Sequence, residues 1–153
     1  MNPWRDPDWM LLSYGKPATS SSCIEGREAS KATDENVQTW WRAATNKPGE
    51  WVEVDLLYEC DVFAVHVNFA DDTLTTSPPE GAEFFGDVPV RRYIDRHQHY
   101  TRWLLEGSVD GREYFIIEDV DTDLSHDLNV RENGIKARYI RCMVNELPYN
   151  QAA

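Results

Sequence analysis

The chain has 153 residues and a formal net charge of −12, with 27 acidic residues against 15 Lys and Arg. This length predicts a single domain that buries a hydrophobic core. The acidic charge argues against nucleic-acid binding and against anionic membrane surfaces, since both need a basic face, and no run approaches the roughly 18 apolar residues of a membrane span.

The N-terminal end predicts a linker followed by a domain. Residues 1–8 contain two prolines and are typical of a linker or the tail of a preceding domain, which leaves residues 9–153 as the domain itself. No signal peptide is visible at Met1, so targeting information would lie outside this sequence if the chain is a piece of a longer secreted protein. The apolar run 9–14 predicts a first strand, and the hydroxyl-rich run 16–22 predicts an edge strand.

The segment 29–41 is rich in oxygen donors and ends in two tryptophans, Trp40 and Trp41. It is too polar for a buried strand and rich in capping and β-branched residues. Hard cations take six to eight oxygen ligands from carboxylates, carbonyls and hydroxyls, which an irregular loop can supply. From the spacing alone, an ordinary surface turn with a helix cap at Asp34 remains the favoured interpretation.

Two strands are predicted next. The run 50–57 alternates between an apolar face and a mixed face, the apolar residues being Val52, Val54 and Leu56 and the mixed ones Trp51, Glu53 and Asp55. The run 61–69 alternates again, and a short polar link at 58–60 joins the two. They could pair with each other or lie in facing sheets.

Residues 70–99 form a long excursion, and loops of that length are often functional. Strands are then predicted at 102–109 and 113–120, joined by a turn at Asp110–Gly111, and at 126–131 and 135–144, divided by a hairpin signal at Asn133–Gly134. No long helix is predicted. Many short alternating strands with turns between them indicate an all-β sandwich or barrel.

The three cysteines are widely spaced and odd in number, so they form neither a zinc pattern nor a full disulfide framework. They are Cys23, Cys60 and Cys142. Cys142 lies in an alternating apolar run, where a cysteine acts as a small buried hydrophobe.

Five motifs in order resemble a known family. They are Lys-Ala-Thr-Asp-Glu-Asn-x-x-Thr-Trp-Trp, Gly-Glu-Trp-Val-Glu-Val-Asp-Leu, a Val-rich strand, Leu-Glu-Gly-Ser-Val-Asp-Gly-Arg-Glu-Tyr and Ala-Arg-Tyr-Ile-Arg. Together they resemble the coagulation factor V/VIII type C, or discoidin-like, domain, over about 11–146. The same galactose-binding-like jelly roll, an antiparallel all-β sandwich, is used by family 32 carbohydrate-binding modules. Trp-Met-Leu-Leu-Ser-Tyr near the start and Asn-Glu-Leu-Pro-Tyr near the end resemble the version appended to family 43-type glycoside hydrolases.

The resemblance implies a structural calcium ion at the 29–41 segment. Carried over by position, its ligands would be Ala32, Asp34, Asn36, Thr39 and Glu146. Family members commonly have Gly after the aspartate, where this chain has Glu35. They also usually continue past the Glu-Leu-Pro region into one more apolar strand, so here the last strand is missing or the fold closes differently.

The resemblance also implies sugar binding on loops, where exposed aromatic rings lie beside fixed polar groups. One of Trp40 and Trp41 is expected in the core and the other outside, with Trp41 named as a candidate platform. The excursion supplies the remaining candidates, which are Phe84, Phe85, Arg92, Tyr93, Arg96, His97, His99 and Tyr100. The alternative is that Phe84 and Phe85 only pin the loop to the core, with the basic residues solvating it.

The predicted function is a calcium-stabilised, non-catalytic carbohydrate-binding accessory domain of a secreted, periplasmic or cell-surface glycoside hydrolase. Its partners would be a plant or host glycan and the catalytic domain of the same parent chain. The first alternative is a structural domain that packs on a catalytic domain without binding sugar. The second is a protein- or lipid-binding discoidin domain. Glycoside hydrolysis uses a pair of carboxylates, but among 27 acidic residues such pairs occur by chance and are no evidence for an active site. Catalysis is therefore not expected.

Overall fold

The computed structural model describes residues 10–70, 83–86, 88–89, 99–122, 124 and 126–148. Seven strands and one short 3-10 helix are present in these ranges. The helix spans Ala29–Ala32, and the strands are β1 Ala18–Ser20, β2 Glu50–Asn68, β3 Phe84–Phe85, β4 Val88–Pro89, β5 Thr101–Ser108, β6 Phe115–Thr122 and β7 His126–Glu146. No apolar helix of membrane-spanning length occurs among the described residues.

Five of the strands form one antiparallel sheet in the order β1-β2-β7-β5-β6, and β3 pairs with β4 separately. The strand β7 lies at the centre, paired with β2 on one side and with β5 on the other. The prediction of an edge strand in the hydroxyl-rich segment is confirmed within the described part of the chain, where β1 pairs with β2 and with no other strand.

The long strands close the sheet into a sandwich. Val52 in the first half of β2 and Val65 in its second half pack against the same cluster, whose buried members include Trp103, Leu105 and Cys142. Thirteen residues of straight strand would separate Val52 and Val65 by about 43 Å, so β2 must fold back across the core. The expectation of a β-sandwich is therefore confirmed, as is the burial of Trp103 and Cys142.

The fold-back of β2 begins at an irregularity after Asp55. The register between β2 and β7 shifts between Asp55 and Cys60, and Leu57 has a positive φ of 73°. The runs 50–57 and 61–69, predicted as two strands with a link, are thus one strand whose halves lie on opposite sides of the core.

The hairpin predicted at Asn133–Gly134 is wrong, since β7 runs without interruption from His126 to Glu146. Gly134 does have a positive φ of 66°, as a hairpin turn would require. It lies instead at a second register shift, where four residues of β7 separate the partners of Val62 and Ala64. A Cβ at Gly134 would lie 3.1 Å from the ring of Phe63, so glycine fits the bulge that packs there.

The strand predicted over 9–14 is also not formed by its described residues. Residues 10–17 are turns and irregular backbone, and the N–H of Gly15 donates to the carbonyl of Thr33 at 2.8 Å. Of residues 10–14, only Leu12 packs against a core cluster, whereas Met10 and Tyr14 are exposed. Residues 10–14 therefore do not present the single buried face that a half-buried strand needs.

Candidate functional site

The 33–39 loop brings together three oxygen-bearing groups that could bind a cation. The N–H of Asn36 donates to Oδ1 of Asp34 at 3.0 Å. The hydroxyl oxygen of Thr39 lies 2.7 Å from Oδ2 of Asp34 and 3.0 Å from the carbonyl oxygen of Asn36. The hydrogen bonds from Thr39 and from Asn36 lower the pKa of Asp34, so its carboxylate stays ionised.

Glu35 takes the backbone conformation that glycine favours, with a φ of 57°. The loop therefore forms the turn that the family's glycine would allow, at the cost of placing a side chain in the left-handed region. Glu35 is exposed, so its side chain displaces no core residue.

The donors in this loop fit a hard cation in part. A carboxylate, a backbone carbonyl and a hydroxyl converge at Asp34, Asn36 and Thr39, and these are oxygen types that Ca²⁺ takes. Ala32 ends the 3-10 helix two residues before Asp34. No cluster of three or more His, Cys, Asp or Glu side chains suits a metal within the described residues, so an ion here would depend on carbonyls and hydroxyls.

Glu146, the fifth residue implied for the cation, has a different partner in the structure. Its Oε2 accepts a hydrogen bond from Nη1 of Arg102 at 2.7 Å. The same guanidinium lies 3.1 Å from Oδ2 of Asp121, so Arg102 bridges two carboxylates from two strands.

As expected, one of the two tryptophans after the loop is buried in the core and the other lies outside it, and the buried one is Trp41. Trp41 is 9% exposed, packs with Ala29 and Ala43, and donates its indole N–H to the carbonyl of Ser22 at 3.0 Å. Its role as a sugar platform is therefore corrected, because its ring is covered by the core. Trp40 is the outer residue, with the Arg27 guanidinium 3.6 Å from its ring centroid.

Within the 70–99 excursion, the structure describes residues 70, 83–86, 88–89 and 99. Phe84 and Phe85 form β3, and the Phe85 side chain is 85% exposed, so it does not pin the loop to the core. Four of the predicted ligand residues, Arg92, Tyr93, Arg96 and His97, lie outside the described residues. His99 and Tyr100 directly precede β5, and the guanidinium of Arg102 lies 4.3 Å from the Tyr100 ring centroid.

A cluster that the sequence patterns did not predict lies on the outer face of the sheet, the face opposite Val52, Cys142 and Leu105. Arg141 lies between two aromatic rings, 4.6 Å from the centroid of Trp51 and 3.8 Å from that of Tyr114. Its Nη2 is 2.9 Å from Oε2 of Glu53, and the Tyr114 hydroxyl donates to the same oxygen at 2.6 Å. The alternation of β2, which puts Trp51 and Glu53 on one face, was the available signal.

This cluster holds its members in fixed positions. Burial and the hydrogen bond to Glu53 raise the pKa of Tyr114 to about 12, so its hydroxyl remains a donor at neutral pH. The guanidinium and the carboxylate are both largely covered, since the side chains of Arg141 and Glu53 are 19% and 12% exposed.

Comparisons with known proteins place this architecture. No protein-family model matches the sequence, and no curated protein matches it. Among solved structures, chitosan-binding module 2 of a chitosanase/glucanase from Paenibacillus sp. IK-5, in complex with chitotriose, has a TM-score of 0.68 at 17% identity, covering 93% of this chain and 94% of that one.

Two further structures extend the likeness. The family 32 module from C. perfringens NanJ, in complex with galactose, has a TM-score of 0.62 at 12% identity and covers 87% of this chain and 84% of that one. A protein described as a glycoside hydrolase has a TM-score of 0.63 at 14% identity, covering 94% of this chain but 31% of that one. The chain therefore has the discoidin-like β-sandwich fold that carbohydrate-binding modules, including those of family 32, adopt.

Proposed function

We propose that this chain is a non-catalytic carbohydrate-binding module that holds a secreted or cell-surface glycoside hydrolase close to its polysaccharide. The observation that carries the proposal is the likeness of almost the whole chain to modules solved with sugars bound, among them complexes with chitotriose and galactose. A tethered module acts by raising the effective concentration of its catalytic partner at the polymer, so modest affinity for glycan is enough.

The surface chemistry supports the same proposal. Tyr100, Trp51 and Trp40 are partly exposed, and each has a guanidinium stacked near its ring. Aromatic rings beside fixed charged groups suit sugars, whose apolar ring faces stack while their hydroxyls form hydrogen bonds.

A calcium ion at the 33–39 loop is the second part of the proposal. Asp34 would supply the charge, and Asn36, Thr39 and the Ala32 carbonyl the neutral oxygens. The ion would stabilise the turn that leads into the buried Trp41, so its effect would be on folding rather than on sugar recognition.

The function is tested on the purified chain by a glycan array, followed by calorimetry with xylan, arabinan, galactosides and chitotriose. Binding to one class with a dissociation constant below about 1 mM supports a targeting module, since tethering makes such affinities useful. Silence across the array would leave a structural domain that packs on a catalytic partner. Trp51, half-buried on the outer face, would then be a contact residue.

A further inference from the structure

The strand register places four side chains of different chemistry in one row across the outer face. Trp51 of β2 is paired with Met143 of β7, Met143 with Leu104 of β5, and Leu104 with Asp119 of β6. Directly paired residues point to the same side of a sheet. The row therefore has an aromatic ring at one end, a thioether and an aliphatic side chain in the middle, and a carboxylate at the other end.

The row has the dimensions of a short sugar chain. Neighbouring strands lie about 4.8 Å apart, so the row spans about 14 Å from Trp51 to Asp119. One strand spacing is close to the length of one sugar in an extended β-linked polymer, so a chain crossing the strands would meet one side chain per sugar. Trp51, Met143 and Leu104 are partly exposed and Asp119 is exposed, so the row is open to a ligand.

Fixed polar groups border the row on both sides. On one side, Arg141 and Glu53 are held by Tyr114, and the neighbouring Glu106 is paired in register with Arg141. Oε2 of Glu106 has no hydrogen-bond partner among the described residues, although the atom is covered. On the other side, Arg102 bridges Asp121 and Glu146.

The charge on this face selects the ligand class. Among the described residues of this face, carboxylates outnumber guanidinium groups by six to three. The carboxylates are those of Glu53, Asp55, Glu106, Asp119, Asp121 and Glu146, and the cations are Arg102, Arg138 and Arg141. The whole chain is acidic as well. A ligand with ammonium groups would gain from this field, which an anionic glycan would oppose.

We infer that the row Trp51–Met143–Leu104–Asp119 is a binding site for an extended β-linked glycan with free amino groups, which lies across the strands with a sugar ring on Trp51 and an ammonium group at Asp119. The inference rests on the proposed function and adds to it a site on the sheet face, separate from the loops, and a ligand class.

The test compares three β-1,4-linked tetrasaccharides of similar shape by calorimetry at low salt. They are the glucosamine tetramer, its N-acetylated form and cellotetraose. The glucosamine tetramer is expected to bind at least tenfold more tightly than the other two, with the difference shrinking as salt is raised to 0.5 M. Equal affinities for all three would overturn the charge selection.

Two variants locate the site. Asp119→Asn is isosteric and exposed, so it should leave the melting temperature unchanged while removing most of the preference for free amines. Trp51→Ala should weaken the binding of all three ligands at least tenfold. Tyr58→Ala, which removes an exposed aromatic ring seven residues along β2 and outside the row, should leave their binding unchanged. Circular dichroism of Trp51→Ala checks its fold, and Asp119→Asn keeps the test valid if that variant unfolds.

The failures are distinguishable. Glycan binding that persists unchanged in both Asp119→Asn and folded Trp51→Ala would overturn the sheet-face site and leave the proposed function standing. Absence of binding to every glycan on the array would overturn the proposed function itself, and the site with it.

Discussion

Glu146 and Arg102 form a direct ion pair across neighbouring strands, with 2.7 Å between Oε2 and Nη1. They are 44 positions apart in the chain, and β5 and β7 pair Arg102 with Glu146 in register. The pair turns Glu146 toward the outer face, whereas family resemblance assigns it to the loop around Asp34. The two residues should therefore respond differently to calcium.

We predict that calcium raises the melting temperature through Asp34 and not through Glu146. An ion present at 100 times its dissociation constant stabilises a fold by about 2.7 kcal/mol, equivalent to about 5–10 °C for a domain of this size. Scanning calorimetry with calcium and with a chelator should show this shift in the wild type and in Glu146→Gln. It should be absent in Asp34→Ala. If Glu146→Gln lost the shift in melting temperature, Glu146 would be a calcium ligand after all. If the wild type showed no shift, the chain would have no calcium site that stabilises the fold.

Glu35→Gly should stabilise the loop or leave it unchanged. The residue has a φ of 57°, and a non-glycine residue in that region costs about 1–2 kcal/mol, partly offset by the backbone entropy of glycine in the unfolded chain. Urea denaturation should give an unfolding free energy equal to the wild type or up to about 1 kcal/mol higher. The exposed Glu25→Gly, at ordinary φ, is the matched control and should lose stability. If both variants lost the same unfolding free energy, the backbone at Glu35 would not be strained.

Glu50 should make the fold sensitive to acid. Burial alone would raise the pKa of Glu50, but hydrogen bonds from the hydroxyls of Ser21, Thr45 and Ser22 outweigh it, and the pKa falls below its usual value. A lowered folded-state pKa gives stability that is present above the unfolded value and lost as pH falls through the folded one. Glu50→Gln should lose about 2 kcal/mol at neutral pH, because it removes a charged acceptor.

The difference between wild type and Glu50→Gln should narrow as pH falls below about 4. Urea denaturation across this range measures it, with the exposed Glu132→Gln as a control that stays close to wild type. A gap that is constant with pH would mean that the hydroxyls do not hold a charged carboxylate at this position.

Trp41 and Trp40 should differ sharply in stability effect. Trp41→Ala removes a buried indole and is expected to cost about 3–5 kcal/mol, while Trp41→Phe keeps most of the volume and leaves the Ser22 carbonyl without its donor, for about 1–3 kcal/mol. Trp40→Ala removes a partly exposed ring stacked on Arg27 and should cost about 1 kcal/mol. Urea denaturation of the three variants checks the order, and a larger loss for Trp40→Ala would reverse the assignment of the two rings.

The alternation of apolar and polar residues predicted most of the strands and their buried faces. The alternation over 50–57 correctly separated Val52 and Val54 from Trp51 and Glu53, because a period of two is a property of neighbouring residues. The same local pattern could not predict whether Asn133–Gly134 forms a hairpin turn or a bulge. The same positive φ suits a hairpin turn or a bulge, and the ring of Phe63, brought there by β2, fits the bulge.

The candidate site shows the same division between local and distant information. The oxygen atoms of segment 33–39 that could bind a cation were recognisable from the sequence, because the contacts among Asp34, Asn36 and Thr39 span at most five residues. Which of Trp40 and Trp41 is buried, and the row from Trp51 to Asp119, depended on strands far apart in the chain. Register between such strands is fixed by packing against a shared core, so only the tertiary structure could place an aromatic ring and a carboxylate on the same face of the sheet.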